Sequence, residues 1–377
     1  MDFTAARKEL HRHPEVSNEE FATSRRIRAW LNELGHPDAV VELDQTGFAA
    51  VYRGAEPGPR IALRCELDAL PISEVNTFEH RSLTPNVSHK CGHDGHMTVL
   101  LEVAQFVANH RPIAGEVVLL FQSAEETGDG AIRAVHHADF SKVAPDFVYA
   151  LHNIPGVAKR TVLIRDGAFT PGVRSLIFRI FGKTSHAAEP EKGLNPALAM
   201  SDCIRLAEAM TVADASRDDF FLITTIHMTM GEKAYGISAG YGEVHVTLRA
   251  WDELHLQSAS QMYCDECVSS IQKKGFIVET EWCYEFEANL NHPEAAQRVR
   301  EATKTLELPV QEMAEPFRFG EDFGVFTQRF KGAMFGFGAG EATPALHNPD
   351  YDFPDDIRPD AAKLFIELLK SHLEFQD

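Results

Sequence analysis

Nowhere in the 377 residues does an apolar run reach the roughly 20 residues needed to cross a bilayer, so no helical membrane anchor is expected. The opening stretch Met1-Asp2-Phe3-Thr4-Ala5-Ala6-Arg7 lacks a hydrophobic signal core, which leads to the expectation of a cytoplasmic protein. Positive charge is scarce. Lys and Arg number 36 against 56 Asp and Glu, and the formal net charge of -20 repels nucleic-acid phosphates and anionic lipid surfaces alike. Neither nucleic acid nor a membrane is therefore expected as a partner. Cysteine is sparse too: the six at 65, 91, 203, 264, 267 and 283 do not have the spacing of a small secreted disulfide framework. Cys264-Asp265-Glu266-Cys267 is formally a C-x-x-C, yet it falls in a predicted helix with no thioredoxin-like setting. Repeats and low-complexity linkers are absent, although the length exceeds the ~250–300 residues at which single cores stop growing and so predicts two domains.

What the chain does have is strands alternating with helices. Ser17-Asn18-Glu19-Glu20 reads as a capping box, followed by Ile27, Trp30, Leu31 and Leu34 at helical spacing. Residues 47–53 and 60–67 read as strands, the second delivering Glu66 and Asp68 before Pro71. Met97, Leu100, Leu101, Ala104 and Val107 predict a helix beginning near His96. Strands at 116–122 and 147–150 end in Ser123-Ala124-Glu125-Glu126 and Leu151-His152-Asn153. This alternation predicts an α/β layer, in which ligands collect beyond the carboxyl ends of the strands. From about Gly172 the order becomes strand 175–181, a helix after Asn195-Pro196, strands 220–228 and 241–251, helix 253–274 and strand 276–286. That is the split βαβ order of a ferredoxin-like α+β module, which fits as an insertion in the larger domain. The first style then resumes with a helix from about Pro293, a short one near 322–328, a strand at 332–338 and a helix at 359–375.

Cys91-Gly92-His93-Asp94-Gly95-His96 places a thiol and imidazoles within six residues, with glycines that let the backbone bend. Thiolate and imidazole suit a borderline-soft divalent ion, and the stretch reads as half of a metal site. Cys91, His93, one of Glu125 and Glu126, His152, and His347 in Leu346-His347-Asn348-Pro349 all lie on loops after apolar strands. Five mixed ligands, one able to bridge, suggest two divalent metal ions around an activated water. Two adjacent glutamates need a cation nearby to stay ionised, so one can ligate while the other moves a proton. This donor mixture admits zinc, manganese, cobalt or nickel alike.

These residues carry a resemblance along nearly the whole chain. Leu10-His11-Arg12-His13-Pro14-Glu15, Asp68-Ala69-Leu70-Pro71, Cys91-Gly92-His93-Asp94-Gly95-His96, Ala124-Glu125-Glu126 and Leu151-His152 are the first motifs. Gly182-Lys183-Thr184-Ser185-His186-Ala187-Ala188, Glu321-Asp322-Phe323 and Leu346-His347-Asn348-Pro349 follow in the same order. Together they resemble the amidohydrolase branch of the aminoacylase and carboxypeptidase G di-metal metallopeptidase family, which includes hippurate and auxin-conjugate hydrolases. The resemblance implies that Cys91, His93, Glu126, His152 and His347 hold two divalent ions, with Cys91 as bridge, and that Glu125 is the general base. Asp68 is implied to support the site without ligating. His186 is implied to reach a partner subunit's active site and stabilise the oxyanion, which makes the inserted module a dimerisation domain of a homodimer.

The expected architecture is thus a large zinc-peptidase-like α/β catalytic domain formed by residues 1–171 and 286–377, with a ferredoxin-like dimerisation domain at 172–285. The expected activity is cleavage of the amide bond of N-acyl amino acids or related small N-acylated compounds. A dipeptidase or carboxypeptidase of the same family is the alternative, as is a catalytically silent protein that binds an acylated ligand. The silent reading draws on a departure at 231–241, where relatives carry Gly-Gly-Thr-x-x-Asn-x-x-Pro with a substrate-holding asparagine. Here Gly236 stands at the asparagine position. A smaller departure is Glu66, where relatives commonly have Asp.

Overall fold

Strands covered on both faces need near-continuous apolar runs rather than alternation, and four segments of this chain supply them. Glu56–Glu66, Ala114–Gln122, Phe147–Pro155 and Lys331–Gly340 are buried along almost all of their C-terminal halves. They pair in parallel in the order 114–122, 56–66, 147–155, 331–340 at the centre of an eight-stranded sheet. Phe48–Arg53 and Ala39–Glu42 extend it antiparallel on one side, and Val162–Ile164 and Val310–Glu312 on the other. The computed structural model describes residues 1–376. This sheet belongs to a unit formed by Met1–Phe169, Asn289–Ala314 and the chain from Glu321 onward. Helices His93–Asn109, Arg358–Lys370 and Phe3–Arg12 contribute Leu100, Val107, Phe365 and Leu10 to one core with Leu63, Phe121, Tyr149 and Phe335 of the sheet.

A second unit comprises Thr170–Ala288 and Glu315–Gly320. Its antiparallel sheet runs in the order Phe221–Met230, Tyr241–Ala250, Gly172–Phe181, Ile277–Phe286. Helices Ala197–Met210 and Glu253–Lys273 supply Met200, Cys203, Tyr263 and Cys267 to a core with Leu176, Phe178 and Val246. Strand, helix, two strands, helix, strand in this spatial order is the ferredoxin-like arrangement read from the sequence. The fold as a whole is therefore α/β, with a ferredoxin-like second unit. Cys264 and Cys267 are buried free thiols on the second helix.

Three local differences from the sequence reading matter for the site. The helix after Cys91 begins at His93, three residues before the expected start, because Gly92 makes a sharp left-handed turn (φ 95°) immediately ahead of it. Ser17–Glu20 is not a reciprocal capping box. Glu15 accepts from the amides of Ala22 (3.1 Å) and Thr23 (2.7 Å), so it caps the helix Phe21–Gly35, while Glu20 accepts from Ala124 N at 2.8 Å. Helix Phe3–Arg12, capped by Asp2, was not anticipated, and it buries Arg7 and His11. Among the described residues, no helix is long and apolar enough to cross a membrane.

Candidate metal centre

Parallel strands deliver their carboxyl ends to one side of a sheet, and the predicted ligands of the first unit gather there. Cys91 Sγ lies 3.4 Å from His152 Nε2, and His152 Nδ1 donates to the Asn153 carbonyl at 2.9 Å. That second contact fixes the ring with Nε2 toward the thiol. His93 is held from behind in the same way: its Nδ1 donates to the Asp68 carbonyl at 2.9 Å, and its Nε2 stands 3.9 Å from both Glu125 Oε2 and Glu126 Oε1. His347 Nε2 reaches within 3.7 Å of Glu126 Oε2 from a backbone at φ 65°, a conformation rare for a side-chain-bearing residue. In each of three sets the potential ligand atoms lie within 4.8 Å of one another: Cys91–His93–His152, Cys91–Glu126–His347, and His93–Glu125–Glu126.

Two features of the pocket fit divalent cations. His93 Nε2 and Glu126 Oε1 are buried with no hydrogen-bond partner, an expensive state for polar atoms unless something else satisfies them. Negative charge is also crowded: Glu66, Asp68, Glu125, Glu321 and Asp322 are all buried, and Arg64 is the buried cation among Glu66, Glu321 and Asp322. Burial, reinforced by Glu321 and Glu126, holds the Glu125 carboxyl well above its ordinary range. Burial likewise lifts Glu126 to about 7 even though His93 opposes it. His93 itself rises to about 10 against its own burial because Glu66, Asp68 and Glu126 surround it, whereas burial lowers His152 to about 3. The Cys91 thiol is pushed up by burial and then by Glu126 and Glu125.

Further support comes from Asp68, from His96 of the same motif, and from Asn153, which was given no role in the sequence reading. Asp68 Oδ2 accepts from Ser17 Oγ (2.7 Å) and from Glu126 N (3.0 Å), so it fixes the glutamate loop. His96 lies between the ligand rings, with Nδ1 2.7 Å from Glu66 Oε2 and Nε2 3.1 Å from Asn153 Oδ1, and Asn153 Nδ2 donates to the Cys91 carbonyl at 3.1 Å. Gly92 has no room for a side chain, since a Cβ there would meet Asn153 Oδ1 at 2.1 Å. Gly92→Ala is expected to cost about 1–3 kcal/mol from backbone strain alone. It is also expected to weaken metal retention, read by thermal melts and metal analysis after dialysis; wild-type values for both would show that the turn is not needed.

Against known proteins, the model of peptidase family M20/M25/M40 matches residues 62–371. The chain belongs to this family. Members of the M20/M25/M40 family are hydrolases of the amidohydrolase and peptidase class, and so is this protein. A Staphylococcus epidermidis protein described as an uncharacterized hydrolase is 30% identical over 383 residues, spanning 98% of each chain. The hippurate hydrolase of Campylobacter jejuni is 27% identical over 375 residues, covering 99% of this chain and 97% of its own. Among solved structures, a Bacillus subtilis dinuclear metal-binding peptidase of the M20 family aligns with a TM-score of 0.81 at 24% identity, covering 97% and 96% of the two chains.

In this M20-family chain, His186 lies in the second unit on the short strand Ser185–His186, exposed, with Nδ1 accepting from Ala188 N at 3.0 Å. Its strand pairs antiparallel with Ile237–Ser238, Ile237 opposite His186, and the Gly236 carbonyl accepts from Ala187 N at 2.9 Å. The altered stretch at 231–241 is therefore the immediate neighbour of His186. Sequence reading treated the two as separate features.

Proposed function

We propose that the protein is a metal-dependent amidohydrolase cleaving the amide bond of N-acyl amino acids or related small N-acylated compounds. The observation that carries this reading is the gathering of Cys91, His93, Glu126, His152 and His347, with His93 Nε2 and Glu126 Oε1 buried and unpartnered among them. Those five residues would hold two divalent ions, which when bound supply electrophilic activation of the scissile carbonyl and of a water. Glu125, adjacent in sequence but offered as proton carrier, accepts a proton from the attacking water and returns it to the departing amine nitrogen. Asp68 holds His93 and the Glu126 amide in place throughout. The partner subunit's His186 would stabilise the oxyanion of the tetrahedral species.

That last role requires a homodimer. Phe221–Met230 is an edge strand of the second unit's sheet, and Ile226, Met228 and Met230 on it are exposed, a surface that favours pairing with another chain. The hippurate hydrolase relative favours an N-acyl amino acid as substrate, and the Bacillus subtilis peptidase favours two metal ions.

The reading is tested by stripping metal, restoring zinc, manganese, cobalt or nickel, and assaying N-acetyl, N-benzoyl and N-indoleacetyl amino acids beside dipeptides. Metal-dependent release of free amino acid is expected. Faster turnover of dipeptides would favour a dipeptidase, and tight metal binding without any turnover would favour a ligand-binding protein. Gly236 gives a second handle, because a Cβ placed there meets nothing within 4 Å. Gly236→Asn is expected to lower KM for N-acyl amino acids about fivefold, the worth of roughly one added hydrogen bond, with kcat little changed. An unchanged KM across the panel would show that this chain holds substrate by other means.

A further inference from the structure

The ligand-bearing segments Cys91–His93 and His347 lie far apart in sequence, and one buried side chain ties them together. Lys90 immediately precedes Cys91 and is fully buried. Its carbonyl accepts from His347 N at 2.8 Å, and its Nζ donates to the Tyr351 carbonyl at 2.7 Å. The same residue therefore grips the loop that carries His347 at both ends. Nζ is in turn paired with Glu74 Oε1 at 2.5 Å, and Glu74 is fixed by Ser82 N (2.6 Å) and by His11 Nε2 (3.0 Å) from the N-terminal helix.

We infer that Lys90 is a positioning residue for the metal centre, holding the His347 loop in register with Cys91. It touches no ligand atom and acts through backbone. A buried ion pair is weak evidence of stabilisation, since desolvation offsets much of the Coulomb gain. Here it meets a specific need, because His347 must be kept at φ 65° while its ring faces Glu126. The consequence is selective. Cys91–Glu126–His347 depends on this loop, whereas in Cys91–His93–His152 both imidazoles are braced by backbone carbonyls of Asp68 and Asn153.

This inference rests on the two-metal reading, and its test separates the two. Metal-free full-length protein is titrated with cobalt(II), whose thiolate charge-transfer and ligand-field bands report each equivalent, for wild type, Lys90→Met and Glu74→Gln. Wild type is expected to take two equivalents. Lys90→Met should keep one at wild-type affinity and bind the other about 10–100-fold more weakly, the usual effect of losing a residue that orients ligands. Glu74→Gln should shift the same equivalent by less, because the Tyr351 contact remains. Two equivalents bound by Lys90→Met as in wild type, or both weakened equally, would overturn the positioning role. Should Lys90→Met fail to fold, Glu74→Gln decides by the same criteria. A wild type that takes fewer than two equivalents would overturn the two-metal reading itself.

Discussion

Glu125→Gln is expected to lower kcat by about 10²–10⁴-fold, the usual contribution of a positioned general base, while both metal equivalents stay bound. Glutamine keeps the shape and cannot take up a proton. Glu125 is 5% exposed, its carboxylate faces His93 Nε2 at 3.9 Å, and it is held well above its ordinary range by burial and by Glu321 and Glu126. Cations bound at the neighbouring ligands would relieve part of that repulsion and favour the ionised form that accepts a proton. Single-turnover kinetics together with metal analysis check the expectation. Activity within a few-fold of wild type would remove Glu125 as the base, and lost metal with lost activity would move it into the ligand set.

Arg64→Met carries the largest expected effect on stability, about 3–5 kcal/mol, because it strips the counter-charge from a buried carboxylate cluster. Arg64 Nε donates to Gln122 Oε1 at 2.8 Å, and its guanidinium nitrogens reach Glu66, Glu321 (2.9 Å) and Asp322 (2.5 Å). Asp322 Oδ2 also accepts from Gln122 Nε2 at 2.7 Å and from Ala131 N at 3.0 Å. Removing the guanidinium leaves three carboxylates that must take up protons or draw in water. Urea unfolding of metal-loaded protein should show the loss, and thermal melts should show Tm lower by about 5 °C. A change below about 1 kcal/mol would mean that the cluster is already protonated and that Arg64 is not its counter-ion.

The contrast between these residues explains what the sequence disclosed. Cys91, His93, Glu125, Glu126, His152 and His347 were legible because their chemistry is rare and each follows an apolar strand or sits in a dense motif. The ferredoxin-like order was legible because its strands and helices differ in period. Arg7 and Lys90 were not, and His11 stood in a motif with no role assigned to it, since charged side chains read as solvent-facing and their partners are distant in sequence. Arg7 reaches Asp94 at 3.3 Å and Asp352 at 2.6 Å, and no local pattern announces such pairs. One signal was available for the missed first helix: Asp2 as cap, then Phe3, Ala6 and Leu10 on one face. Glu15, and not the expected Glu20, serves the start of the second helix for a similar reason. Two carboxylates near a helix start cannot be told apart by spacing when one of them is recruited by Ala124, far along the chain.

Strand Lys331–Gly340 lies between Phe147–Pro155 and Val162–Ile164 in the sheet, although some 170 residues separate it from both in the chain. On the ribosome, those earlier strands emerge long before their missing neighbour, and the whole of Thr170–Ala288 is synthesised in between. At roughly 5–20 residues per second the gap in the sheet stays open for about 8–35 seconds. During that interval the nascent chain exposes the flank of Phe147–Pro155 and has no His347 to offer. Synthesis therefore sets an order: the second unit's Thr170–Ala288 is complete before Lys331–Gly340 emerges, so the large sheet is the later of the two to close.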